Sequence, residues 1–157
     1  MDFQYDVFET THEFKGKTYD AIAGRMSIPG KLEPGGIICV GSHCKNGKDV
    51  SIRWTFYWDK NGNFISSLWD TKPYSPFSIP ANKNGTANLL KRKGYTKQFY
   101  KLTEMVVAKF GIPIEDPITG KFINPPNIGE KQKPKSSILP LIFFGGIILY
   151  LIFKGGQ

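Results

Sequence analysis

Hydrophobic and polar positions alternate most regularly between residues 49 and 70, where two aromatic-rich runs flank Asn61-Gly62. Asn-Gly between such runs is the strongest local signal for a β-hairpin, because both residues accept the positive φ angles of a tight turn. With these two residues as the turn, Trp58 faces Ile65, Phe56 faces Ser67 and Trp54 faces Trp69 on one side. Tyr57 pairs with Ser66, Thr55 with Leu68 and Arg53 with Asp70 on the other. One side is a dense aromatic set and the other carries an opposed charge pair, as a half-buried antiparallel ribbon requires.

Further strand-like runs cover residues 3–8, 19–27 and 37–43, separated by turns such as Ile28-Pro29-Gly30 and Glu33-Pro34-Gly35-Gly36. The period then changes. Phe99, Leu102, Val106 and Phe110 recur at helical spacing over residues 96–110, and Gly111 followed by Pro113 ends the element. Strands precede the helix, so the expected fold class is α+β: mainly antiparallel β with one packed helix, plus one C-terminal transmembrane helix.

The transmembrane expectation rests on residues 138–153, which carry no charge. Its anchor residues are Ile138, Leu139, Leu141, Ile142, Phe143, Phe144, Ile147, Ile148, Leu149, Tyr150, Leu151, Ile152 and Phe153. As a helix this stretch is about 24 Å long against a hydrocarbon core of about 30 Å. Lys131, Lys133 and Lys135 before it and Lys154 after it would contact headgroups and extend its reach by snorkelling. Residues 124–137, rich in Pro and Lys, read as an extended stalk below a soluble domain of residues 1–123. Three lysines before the span and one after it place the N-terminal domain on the cytoplasmic or capsid-facing side, with only residues 154–157 translocated. The layout is that of a single-pass, tail-anchored membrane protein. The acidic N-terminus from Met1 to Asp6 does not read as a cleaved signal peptide.

The formal charge of +8 is concentrated toward that tail, with nine bases against three acids over residues 71–124. Within it, Lys91, Arg92, Lys93, Lys97 and Lys101 alternate with Tyr95 and Tyr100 as a candidate basic patch. Bases mixed with aromatics suit single-stranded nucleic acid; anionic headgroups attract the same charge. The position of the patch between core and anchor ranks lipid first.

The two cysteines, Cys39 and Cys44, are too few for a disulfide-stapled scaffold. With His43 they offer three soft ligands where a structural zinc site takes four, and His12 is the remaining histidine. The expectation is two thiols in a reducing compartment and no metal. Neighbouring strand residues point to opposite faces, so His43 and Cys44 make no nucleophile–base pair; Cys39 with His12 is an alternative left open by the sequence. No phosphate-binding loop, dinucleotide fingerprint, nucleophile elbow or metalloprotease motif occurs. Neither catalytic residues nor a cofactor is expected.

These readings converge on a non-enzymatic adaptor that ties other structural proteins to a lipid bilayer. The second reading is an anchored accessory or assembly factor that recruits nucleic acid through the basic run. In the order apolar tail 138–153, Pro/Lys stalk and small β-rich domain, the chain resembles the membrane-anchored minor capsid proteins of icosahedral bacteriophages with an internal lipid membrane, the tectivirus group. The resemblance implies a virion protein linking capsid or vertex proteins to the internal membrane, and it assigns no individual residue.

Overall fold

Lys15 and Gly16 both take positive φ, 52° and 73°. Such a pair closes a two-residue hairpin whose twist matches its strands. It joins β1 (Gln4–Phe14) to β2 (Lys17–Glu33), with Phe14 paired to Lys17 and Gln4 to Ser27. A short β3 (Ile37–Cys39) folds back on the far end of β2. Next come β4 (Lys48–Asp59), β5 (Phe64–Lys72) and β6 (Ser78–Ala81), then helices α1 (Lys83–Lys93) and α2 (Thr96–Phe110), and a small hairpin of β7 (Ile114–Glu115) and β8 (Phe122–Ile123). The main sheet has the order β1-β2-β4-β5-β6, with β3 paired to β2 and every pairing antiparallel. The computed structural model describes residues 2–76 and 78–126.

The expected hairpin forms with the anticipated register along most of its length. Trp54 pairs with Trp69, Phe56 with Ser67, Tyr57 with Ser66 and Arg53 with Asp70. Near the turn the register shifts, so Trp58 meets Phe64 instead of Ile65. The cause is local: the Asp59 carboxylate accepts hydrogen bonds from the backbone N–H groups of Asn61 and Asn63, both 2.9 Å, and widens the turn. Gly62, at φ 85°, lies so close to the β7 approach that a Cβ there would sit 1.9 Å from the Pro113 carbonyl oxygen. That contact docks the β7–β8 hairpin on the turn, with Glu115 N–H donating to Gly62 O.

The fold-class expectation needs correction. The antiparallel β-rich α+β architecture is present, but two helices pack on the sheet instead of one. Among the described residues, no helix is long and apolar enough to cross a membrane. The anchor at 138–153, its flanking lysines at 131, 133, 135 and 154, and the stalk from residue 127 onward lie outside the described residues.

Both helices lie on one face of the sheet. Phe99, Leu102 and Val106 of α2 are fully buried against Ile22, Met26, Phe56 and Trp58. Gly24 permits the close approach, since a Cβ there would stand 2.9 Å from the Val106 side chain and 3.0 Å from Leu102. Helix α1 carries little apolar periodicity and is secured by its ends. The Asn82 side chain accepts from Gly85 N–H, and Gly94 at φ 73° closes the C-terminus. Tyr95 N–H then bonds Leu90 O and Gly94 N–H bonds Lys91 O, the paired bonds of a Schellman motif.

The other face is curled and mixes polar groups with a smaller apolar cluster of Ala21, Ala23 and Tyr57 packed by Phe8, Ile65 and Leu68. His12 on β1 and Ser66 on β5 are hydrogen-bonded at 2.7 Å although β2 and β4 lie between them. Three strand spacings of about 4.8 Å exceed the reach of these two side chains, so the sheet bends toward this face. The residues that β2 presents there, Ala21 and Ala23, are fully buried and small enough to allow the bend.

Candidate docking face

The basic run singled out in the sequence becomes the last turn of α1 and the first turns of α2. Lys91, Arg92, Lys93, Lys97 and Lys101 are all exposed. None of the five is ion-paired to a carboxylate among the described residues. Three cations at the end of α1 complement its dipole, which favours their clustering at that terminus. Tyr95 and Tyr100 between them are half-buried against the core, while Lys93 Nζ sits 4.8 Å from the centroid of the Trp69 ring on β5 and Lys101 Nζ 5.0 Å from that of Tyr5 on β1. Burial raises the Tyr5 pKa, keeping its phenol neutral beneath that lysine. Lys97 and Lys101 line a shallow hollow with Phe3 and Tyr5.

Phe3 is also a wall of a second, more enclosed space. Strands β2 and β4 run on beyond α2, and Ile28 and Ile52 there, with the edges of Met26 and Trp54, form its floor. Ile38 and Val40 close it from the β3 side, and Leu89, Lys93 and Tyr95 close it from the helix junction. The Schellman motif aims Tyr95 here, where its ring meets Phe3 edge-on at 5.2 Å. The cavity measures about 140 Å³. Its charged lining residues differ in commitment. Arg53 makes a bidentate pair with the buried Asp70, whereas Lys93 is exposed at the rim. Residue spacing along the strands could not reveal this space, because its walls come from segments more than fifty positions apart in sequence. The one signal was a surplus of apolar residues at 37–40 with no helix to cover them.

The cysteine expectation is corrected as well. Cys39 and Cys44 form a disulfide, so they are not thiols. The bridge clips the strand that carries Ile38 and Val40, directly behind the cavity wall. Cys39, His43 and Cys44 have their ligand atoms within 4.8 Å of one another. With both sulfurs in the bridge neither can become a thiolate, which leaves His43 as the one strong donor of the three.

His12 has no cysteine partner: it stacks on Tyr57 with centroids 3.7 Å apart and bonds Ser66. Desolvation lowers the His12 pKa, which keeps the ring neutral. A Ser–His contact suggests nucleophilic chemistry, but Ser66 is fully buried and no carboxylate orients the His12 ring among the described residues. The contact braces the curled sheet. Elsewhere, Tyr100 donates to Asp116 at 2.9 Å, and desolvation followed by that carboxylate pushes its pKa up to about 12. This fastens α2 to the turn between β7 and β8.

No family model matches the chain, and neither the curated proteins nor the solved structures contain a match to it.

Proposed function

We propose that this protein is a non-enzymatic structural adaptor that ties a protein assembly to a lipid bilayer. The folded domain meets the assembly, and the apolar segment at 138–153 holds the bilayer. The observation that carries the reading is the exposed run of Lys91, Arg92, Lys93, Lys97 and Lys101, unpaired with carboxylates among the described residues, with Lys93 at the rim of an apolar cavity and Lys97 and Lys101 beside Phe3 and Tyr5. Exposed and beside aromatic walls, these cations suit an acidic partner. The layout shared with minor capsid proteins of membrane-containing phages favours a capsid or vertex protein as that partner. The Cys39–Cys44 bridge favours the capsid-facing side over a reducing cytoplasm. Recruitment of nucleic acid through the same lysines is the second reading, supported by the same charge.

Flotation of the full chain on phosphatidylcholine vesicles tests the tether. The chain is expected to float, and the double substitution Ile147→Lys with Leu149→Lys is expected to leave it in the dense fraction. Each central lysine costs roughly 2.5–3.5 kcal/mol in the hydrocarbon layer. A full chain that stays in the dense fraction overturns the reading.

A further inference from the structure

We infer that the cavity between the β3 wall and the α1–α2 junction receives one bulky aromatic side chain from an acidic segment of the partner protein. This deepens the adaptor reading by naming the chemistry its folded domain docks.

Size comes first. The space of about 140 Å³ is close to that of an apolar protein cavity known to admit a benzene molecule, about 150 Å³. It therefore suits a single phenyl or phenol ring and is too small for a nucleobase with its sugar. Its floor of Met26, Ile28, Ile52 and Trp54 is apolar, so the gain on filling it comes from desolvation and packing. Binding energy concentrated in one desolvated anchor is how protein interfaces are usually built.

The wall also carries an unmet polar group. Trp54 is 6% exposed, and its indole N–H is shielded from solvent with no acceptor among the described residues. By contrast, the Trp58 indole donates to Glu115 O at 2.8 Å. A buried donor without a partner is costly, and its resonance reports repacking of the cavity floor.

Charge selects the flanks. Lys93 stands at the rim, and Lys97 and Lys101 continue the positive surface on the far side of Phe3. Acidic residues on either side of the anchor would meet these cations, while basic flanks would be repelled. The disulfide behind Val40 holds the cavity wall in place before the guest arrives, which lowers the ordering cost of binding.

The test titrates the full chain, with and without phosphatidylcholine nanodiscs, with the synthetic peptide acetyl-Asp-Glu-Phe-Glu-Asp-amide, while NMR follows the indole N–H resonances. The Trp54 signal is expected to shift saturably and the Trp58 signal to stay. Replacing the peptide's Phe by Ala is expected to weaken binding roughly tenfold or more. Lys93→Glu should weaken it roughly fivefold, with an unshifted Trp58 signal reporting that the domain is still folded. Val40→Phe should block the site with Trp58 unshifted, which shows that the domain is still folded. Equal binding of the Phe and Ala peptides overturns the inference, as does indifference to both substitutions. A stronger response of Trp54 to oligothymidylate or to phosphatidylglycerol vesicles assigns the site to nucleic acid or lipid and overturns it too. If the chain floats on vesicles but ignores the peptide, this inference falls and the tether stands. If it binds the peptide without floating, the tether falls and the docking site stands.

Discussion

The two faces of the main sheet are built from the same strands by different physics. On the helix side, β2 and β4 present Ile22, Met26, Trp54, Phe56 and Trp58, held by burial under α2. On the other side they present Ala21, Ala23, Arg25, Arg53, Thr55 and Tyr57, where a small apolar cluster is framed by directed bonds: Arg25 to Thr55 at 3.0 Å, Arg53 to Asp70, and His12 across two strands to Ser66. Burial is non-directional, so the apolar face can end in a void where its cover runs out. Hydrogen-bonded polar groups tolerate no such gap, since each unmet partner is penalised. The hollow that suits a ligand therefore lies on the apolar face, at the end the helices do not reach.

The largest expected effect breaks the apolar side. Phe56→Ala removes a fully buried ring stacked on Trp54 and tilted against Phe99, and should cost about 3–5 kcal/mol in urea unfolding. On the polar face, Asp70→Ala strands Arg53 in a largely buried site and should cost about 3 kcal/mol. The double substitution of Arg53→Met with Asp70→Leu should recover stability to within about 1 kcal/mol of the parent, because replacing both partners removes the unmet charge. If the double variant is no better than Asp70→Ala, the polar face is not held by that pair.

A smaller effect concerns the clip over the apolar end. Reducing the Cys39–Cys44 bridge opens a loop with a sequence separation of five and should cost about 2 kcal/mol by the loop-entropy estimate. Thiol alkylation with and without dithiothreitol reports the bridge directly. The smallest effect sharpens the polar side. His12 is held below its ordinary pKa of 6.5, so below that pH the unfolded chain binds more protons than the folded one. Stability should fall as pH drops from about 6.5 through the lowered folded value. Tm measured across that range should lose part of its slope in His12→Gln.

Local patterns carried much of the fold. The apolar spacing of Phe99, Leu102 and Val106 marked α2, because a helix over a sheet must repeat its buried positions at its own period. Alternation around Asn61-Gly62 placed the hairpin register up to Tyr57, and only the side-chain capping by Asp59 shifted the final pair. Helix α1 was less legible. Just three of its residues, Thr86, Ala87 and Leu90, are buried, so its cues are the caps at Asn82 and Gly94 in place of a stripe.

The docking face divides in the same way. Its cations were visible as a run in the chain, since neighbours in sequence remain neighbours at a helix junction. The sequence by itself determined the elements that depend on residues a few positions apart: the hairpin, the packed helix, the charge cluster and the uncharged stretch at 138–153. Only the tertiary structure decided the Cys39–Cys44 bridge, the reach of His12 to Ser66 and the cavity beneath Lys93. Each depends on how far the sheet curls and where its helices stop. Those are sums over many distant contacts, and no short stretch of residues encodes them.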